Sequence, residues 1–159
     1  MEEATWSTDL RARLDELLEE YRAALRGCLD GLGEEEARAS LVPSRTTLLG
    51  LLKHVTYVER VWLSQAVTGQ SLRELDVAGT PDRSFVLHED DTIASVLAAH
   101  DEACADSRRN VASMPLDAEV TGRGSRVVWA LHLQVLRELA HHCGHADILR
   151  EQLLARREG

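Results

Sequence analysis

Four stretches of this chain repeat apolar residues at helical spacing, and no stretch alternates in the manner of a half-buried strand. That pattern confines the fold to helix packed on helix. The first stretch runs from about Thr8 to Leu29, with Leu10, Leu14, Leu17, Tyr21 and Leu25 on one stripe and Gly27, Gly31 and Gly33 at its end. "EEEARAS" then leaves room for a short helix before Pro43. The second stretch covers about Thr46 to Val67, with Ser44 in its N-cap region and Gly69 as its stop. The third covers about Thr92 to Met114, capped by Asp91, with Ile93, Val96, Leu97, His100 and Cys104 sharing a face. The fourth opens at Ser125 and continues to roughly Arg156.

The connections set the topology. "TGQSLRELDVAGTPDRSFVLHEDD" joins the second and third stretches and holds one apolar triplet, "FVL", which reads as a brief extended piece. "PLDAEVTGRGS" joins the third and fourth. A short loop forces antiparallel neighbours, whereas a long one can cross a bundle and leave two helices parallel. The expectation is an all-α four-helix bundle with one long crossover connection between helices two and three. A chain of 159 residues is expected to form a single domain, residues 1–159, with a core that needs no disulfide.

Charge and composition narrow the partners. A net charge of −9 argues against a phosphate backbone and against an anionic membrane face, both of which call for cationic surfaces. No run approaches the ~18 apolar residues of a membrane span. The acidic start, "MEEATWSTDL", has no apolar segment of the secretory kind. Cys28, Cys104 and Cys143 form no CxxC pair and are odd in number, which reads as free thiols in a reducing compartment. The expected location is therefore cytoplasmic, and the expected partner a small-molecule substrate rather than nucleic acid or membrane.

The fourth helix carries the most informative feature. At 100° per residue, Val127, Leu131, Gln134, Val135, His142, His145, Leu149 and Leu153 lie within roughly 60° of Glu138. Arg126, Ala140, Asp147, Arg150 and Glu151 lie opposite. Glu138 thus belongs at the centre of the apolar face, where a carboxylate is costly unless it is paired or binds a metal. His142 follows one turn later, on the same face. A glutamate oxygen and a histidine nitrogen so placed can converge on one cation, but a tight site needs a third ligand from another helix.

His54 is the first candidate, on a face with Thr47, Gly50, Leu51, Val58, Val61 and Gln65; Gly50 would make room beside it. His100 is the second. His88 lies in the connection and His132 points away from Glu138. His145 is read as an orienting or packing group, His141 as a surface group and Cys143 as inert. Trp6, Trp62 and Trp129 are read as core or rim packing.

Two segments, "LVPSRTTLLGLLKHVTYVERVWL" and "VVWALHLQVLRELAHHCGHADILRE", together resemble the DinB/YfiT-like superfamily. Within it they look like the domain-of-unknown-function branch related to mycothiol-dependent maleylpyruvate isomerase. The resemblance covers nearly the whole chain. It implies a four-helix bundle with one long crossover. It also implies a metal triad made of a histidine on the second helix and two ligands one turn apart on the fourth. By motif position these are His54, Glu138 and His142. The first of the fourth-helix pair is histidine in many members and glutamate in the isomerase-like branch, as here.

Zinc suits a set of two histidines and one glutamate, with nickel or iron as competitors for the same donors. Three protein ligands leave a position open for a reactant. The resemblance implies that a low-molecular-weight thiol, of mycothiol or bacillithiol type, is the cosubstrate. The expected function is a divalent-metal-dependent thiol S-transferase or isomerase acting on a small electrophile, with Gln134, His145 and His100 as candidate orienting groups. Metal-assisted hydrolysis by bound water and a non-catalytic, metal- or ligand-binding stress-response bundle, compatible with a homodimer, are the alternatives.

Overall fold

A computed structural model of the chain describes residues 9–159; Trp6 and Thr8 lie outside them. The described chain is mostly helical. Helix α1 spans Leu10–Gly27 and starts at Asp9, whose carboxylate accepts from Ala12 N at 3.0 Å. Its buried stripe is Leu14, Leu18, Arg22 and Leu25, while Leu10 is 65 % exposed. The stripe expected through Leu17 and Tyr21 is thus displaced, because a charged residue enters the core. Arg22 does so by meeting Glu59, with Nε and Nη2 donating to the two carboxylate oxygens at 2.8 and 2.9 Å. Helix α2 is the short Glu34–Ala37, where "EEEARAS" predicts it.

Helix α3, Leu48–Glu59, is the central element: every residue in it except Lys53 is buried. Its cap is Thr47, whose Oγ1 accepts from Gly50 N at 3.0 Å, and not Ser44, whose hydroxyl turns to Thr46. The helix continues as a π-helical segment, Arg60–Gln65, then as α4, Ala66–Thr68, and stops at Gly69 with φ 79°. The widened turn follows directly on the buried Arg22–Glu59 pair, to which Ser107 Oγ also donates at 2.7 Å.

The connection after Gly69 contains no extended triplet. Phe85 belongs to a 3-10 turn, Arg83–Phe85, that lies against α3. The chain's only lysine fastens it, with Lys53 Nζ donating to Val86 O at 2.8 Å and to Asp91 Oδ2 at 2.7 Å. Asp91, thus occupied, does not cap α5 (Ile93–Val111). Thr92 does, in a reciprocal capping box with Ser95.

The next loop holds what the periodicity was too short to reveal. Glu119–Val120 (β1) pairs antiparallel with Arg126–Val127 (β2), Glu119 opposite Val127. Ser125 therefore lies in the hairpin, and α6 runs from Val128 to Glu158. The first α6 amides are satisfied by the loop itself, Val128 N by Ala118 O and Trp129 N by Leu116 O. Gly122 seats the hairpin against the π-helical segment: a Cβ there would come within 2.2 Å of Gln65 O.

Apolar side chains of α1, α3, α5 and α6 form one core, including Leu25, Leu51, Leu52, Val55, Leu131, Val135 and Leu139. Among the described residues, no helix is long and apolar enough to cross a membrane.

Candidate metal centre

Two helices distant in sequence bring His54, Glu138 and His142 together. His142 Nε2 lies 3.5 Å from Glu138 Oε2, and His54 Nε2 lies 3.9 Å from the same oxygen. One donor atom from each of the three falls within 4.8 Å of the others. Ligand bonds of about 2.0–2.2 Å at tetrahedral angles place donors roughly 3.3–3.6 Å apart, so small side-chain rotations bring these onto one ion.

Local packing explains the placement. His54 is 5 % exposed and lies flat against Phe85, ring centroids 4.1 Å apart and planes 11° from parallel. The room expected at Gly50 is filled by the connection: a Cβ on Gly50 would meet Phe85 O at 2.9 Å. The stripe of α6 that is most buried is Leu131, Val135, Leu139, His142, Ala146 and Leu149. Glu138 lies at the edge of that stripe, its side chain 25 % exposed, and not at its centre. The edge position gives the cluster one wet side, where a reactant can enter.

Protonation suits metal binding. Burial pulls the His54 imidazole down to about 4, helped by the neighbouring His142 and opposed by a hydrogen bond to the Pro81 carbonyl. Burial also lowers His142, against the opposing pull of Glu138. Both rings are neutral at neutral pH and keep a lone pair for a cation. Partners on the far side of each ring are of the kind that orient metal-binding histidines. Ser84 Oγ lies 2.7 Å from His54 Nδ1, and His145 Nδ1 lies 3.3 Å from His142 Nδ1. Glu138 Oε1 accepts from Gln134 Nε2 at 3.4 Å and Arg137 Nη2 at 3.5 Å, which leaves Oε2 for the two histidines.

The other candidates fall elsewhere. His145 is an exposed partner of His142, and His141 packs edge-on against both while facing solvent. His100 joins neither: it is fully buried on α5, its Nε2 3.6 Å from Cys104 Sγ, and burial pulls it to about 4. His132 faces α1, with Nδ1 3.0 Å from Val128 O and Nε2 3.6 Å from Asp15 Oδ1. All three cysteines are free and buried, and burial raises each thiol, Cys28 to about 12. None supplies a thiolate to the cluster. Trp129 is 44 % exposed and, with Trp62, Arg126 and Gln134, lines a cavity of about 490 Å³. Gln134 joins that cavity to Glu138.

Periodicity could not reveal Ser84 and Phe85. They sit in an irregular connection whose path depends on Gly50 and Lys53, and no spacing rule ties them to His54.

A family model described as mycothiol-S-transferase matches residues 13–155. The chain belongs to the mycothiol S-transferase family. This family lies within the DinB/YfiT-like superfamily, in agreement with the resemblance drawn from the His54 and Glu138–His142 segments. No curated protein matches the chain. The matched region contains every residue of the cluster, together with Ser84, His145 and the cavity between Trp62 and Trp129.

Proposed function

We propose that this protein is a divalent-metal-dependent S-transferase that joins a mycothiol-type thiol to a small electrophile. The observation that carries the reading is the half-open cluster of His54, Glu138 and His142 in a mycothiol S-transferase family chain whose own thiols are all buried. His54, Glu138 and His142 would hold a divalent ion, with zinc the best match to the donors and nickel or iron compatible, and such an ion would lower the pKa of a thiol bound beside it. The reacting sulfur must then come from a second molecule.

Gln134 and Arg137 hold Glu138 in place, while Ser84 and His145 hold the two imidazoles. The cavity lined by Trp62 and Trp129 offers aromatic walls with one cation, Arg126, and one acid, Glu119, and Gln134 joins it to Glu138, which supports its use by the thiol or the electrophile. In the overall reaction the sulfur lone pair forms the new bond to the electrophilic carbon. The thiol proton goes to solvent, and a displaced leaving group departs with its electron pair. We read the scaffold as a single-domain four-helix bundle in which the connection between α4 and α5 is the crossover. A cytoplasmic setting fits the three free thiols.

The test measures mycothiol consumption with an alkylating electrophile, in zinc-loaded and chelator-treated protein. Consumption that requires both metal and thiol is expected. Loss of the electrophile without any thiol would replace this reading with hydrolysis, and a metal-loaded protein that neither binds nor consumes thiol would refute it.

A further inference from the structure

His54 is gripped by two consecutive residues of the long connection. Phe85 covers one face of its ring, and Ser84 Oγ lies 2.7 Å from Nδ1. Ser84 is itself 3 % exposed, and its hydroxyl donates to Pro81 O. A hydroxyl has one hydrogen, and here it is committed to a carbonyl. Toward His54, Ser84 Oγ can only accept, so the imidazole proton sits on Nδ1. Nε2 then carries the lone pair, and Nε2 is the atom that faces Glu138.

We propose that Ser84 is a positioning residue for the metal centre, fixing His54 in the Nδ1-protonated tautomer and thereby keeping Nε2 open to a divalent ion. The proposal rests on the metal-binding part of the function proposed above and not on thiol transfer. A neutral imidazole in water populates both tautomers and favours the other one, so a fixed acceptor at Nδ1 changes the population that can bind.

The surrounding structure holds Ser84 to this task. Gly50 lets the turn approach α3 one helical turn before His54, where any Cβ would press on Phe85 O. On the other side Lys53 Nζ holds Val86 O at 2.8 Å. Residues 84–86 are thus fixed from both directions by the helix that carries His54. His142 differs, because its partner His145 stands on its own helix one turn on. The connection gives His142 no hydrogen bond and meets it only through the edge of Phe85, ring centroids 6.1 Å apart, so the hydrogen-bond partner of His142 serves as an internal control.

A purely structural Ser84 would bond Pro81 O equally well, and that carbonyl, itself a hydrogen-bond partner of the His54 ring, would hold the imidazole proton without it. Three proteins separate the two roles: wild type, Ser84→Ala and Ser84→Thr. Zinc affinity is measured by competition with a chromophoric chelator, and the histidine tautomers by nitrogen-15 NMR of the metal-free chains. In Ser84→Ala, zinc affinity is expected to fall about 10–100-fold. His54 should show mixed tautomers while the His142 signals stay as in wild type, and Ser84→Thr should restore both readouts. The proposal is overturned if Ser84→Ala keeps the His54 tautomer, or if its zinc affinity stays within about twofold of wild type. Wild-type protein that fails to bind zinc would overturn the metal reading itself. Failure of thiol transfer with both readouts intact would overturn only the transferase.

Discussion

Glu138 Oε2 lies 3.9 Å from His54 Nε2, so α6 and α3 each contribute part of one candidate donor set. Removing any member leaves two donors, too few for a tight site. His54→Ala and His142→Ala should each weaken zinc binding by more than about 100-fold, beyond the effect of losing an outer partner. Chelator competition checks this. A variant that holds zinc as tightly as wild type would remove that residue from the set.

The Arg22–Glu59 pair links α1 to α3 in the core, and Ser107 adds α5. Glu59→Ala would leave the buried Arg22 guanidinium with only the half-exposed Glu19 carboxylate, 2.6 Å from its Nη1. The expected cost is about 3–5 kcal/mol of folding stability, measured by urea unfolding. A loss of under about 1 kcal/mol would mean that the Arg22 charge escapes to water.

Acid should weaken the metal-free protein well before the carboxylates titrate. Burial lowers His54 and His100 from 6.5 to about 4, so between those values the unfolded chain binds protons that the folded chain does not. Stability is full above about pH 6.5 and falls toward pH 4, by up to about 1.4 kcal/mol per pH unit for each group. Denaturation midpoints between about pH 7 and 5 should show the decline, and His100→Gln should flatten it. A curve level across that window would contradict the burial of these rings.

Gly122 approaches the π-helical segment more closely than a side chain permits. A Cβ there would meet Gln65 O at 2.2 Å, Gly69 N at 2.6 Å and Ala66 O at 2.8 Å, all backbone atoms that cannot swing aside. Gly122→Ala is expected to cost about 1–3 kcal/mol and to displace the hairpin from Ala66. Thermal unfolding reads the first effect. Protease cleavage within residues 119–127 reads the second.

Helical period alone located the four long helices and set Glu138 beside His142, because 3.6 residues per turn fixes which side chains share a face. It misplaced the α1 stripe, since periodicity cannot foresee that Arg22 will find Glu59 in the core. It placed Glu138 centrally where the structure has it at an edge, because a helical wheel shows direction but not what packs against it. The caps are Thr47, three positions after Ser44, and Thr92, one position after Asp91. The Glu119–Val127 hairpin and the 3-10 turn at Ser84 were illegible, being too short to repeat and fixed by contacts with α3 and the π-helical segment. His54 was legible as an inward histidine and as the first candidate to join Glu138 and His142, but choosing it over His100 needed the family resemblance or the fold.

His54, Glu138 and His142 are proposed to hold one divalent ion. Elemental analysis of freshly purified protein, prepared under metal-replete conditions beside Glu138→Ala, tests it most directly. About one divalent ion per wild-type chain is expected, and less than about a tenth of that in the variant. A wild-type chain free of divalent metal, or a Glu138→Ala chain as fully loaded as wild type, would contradict it.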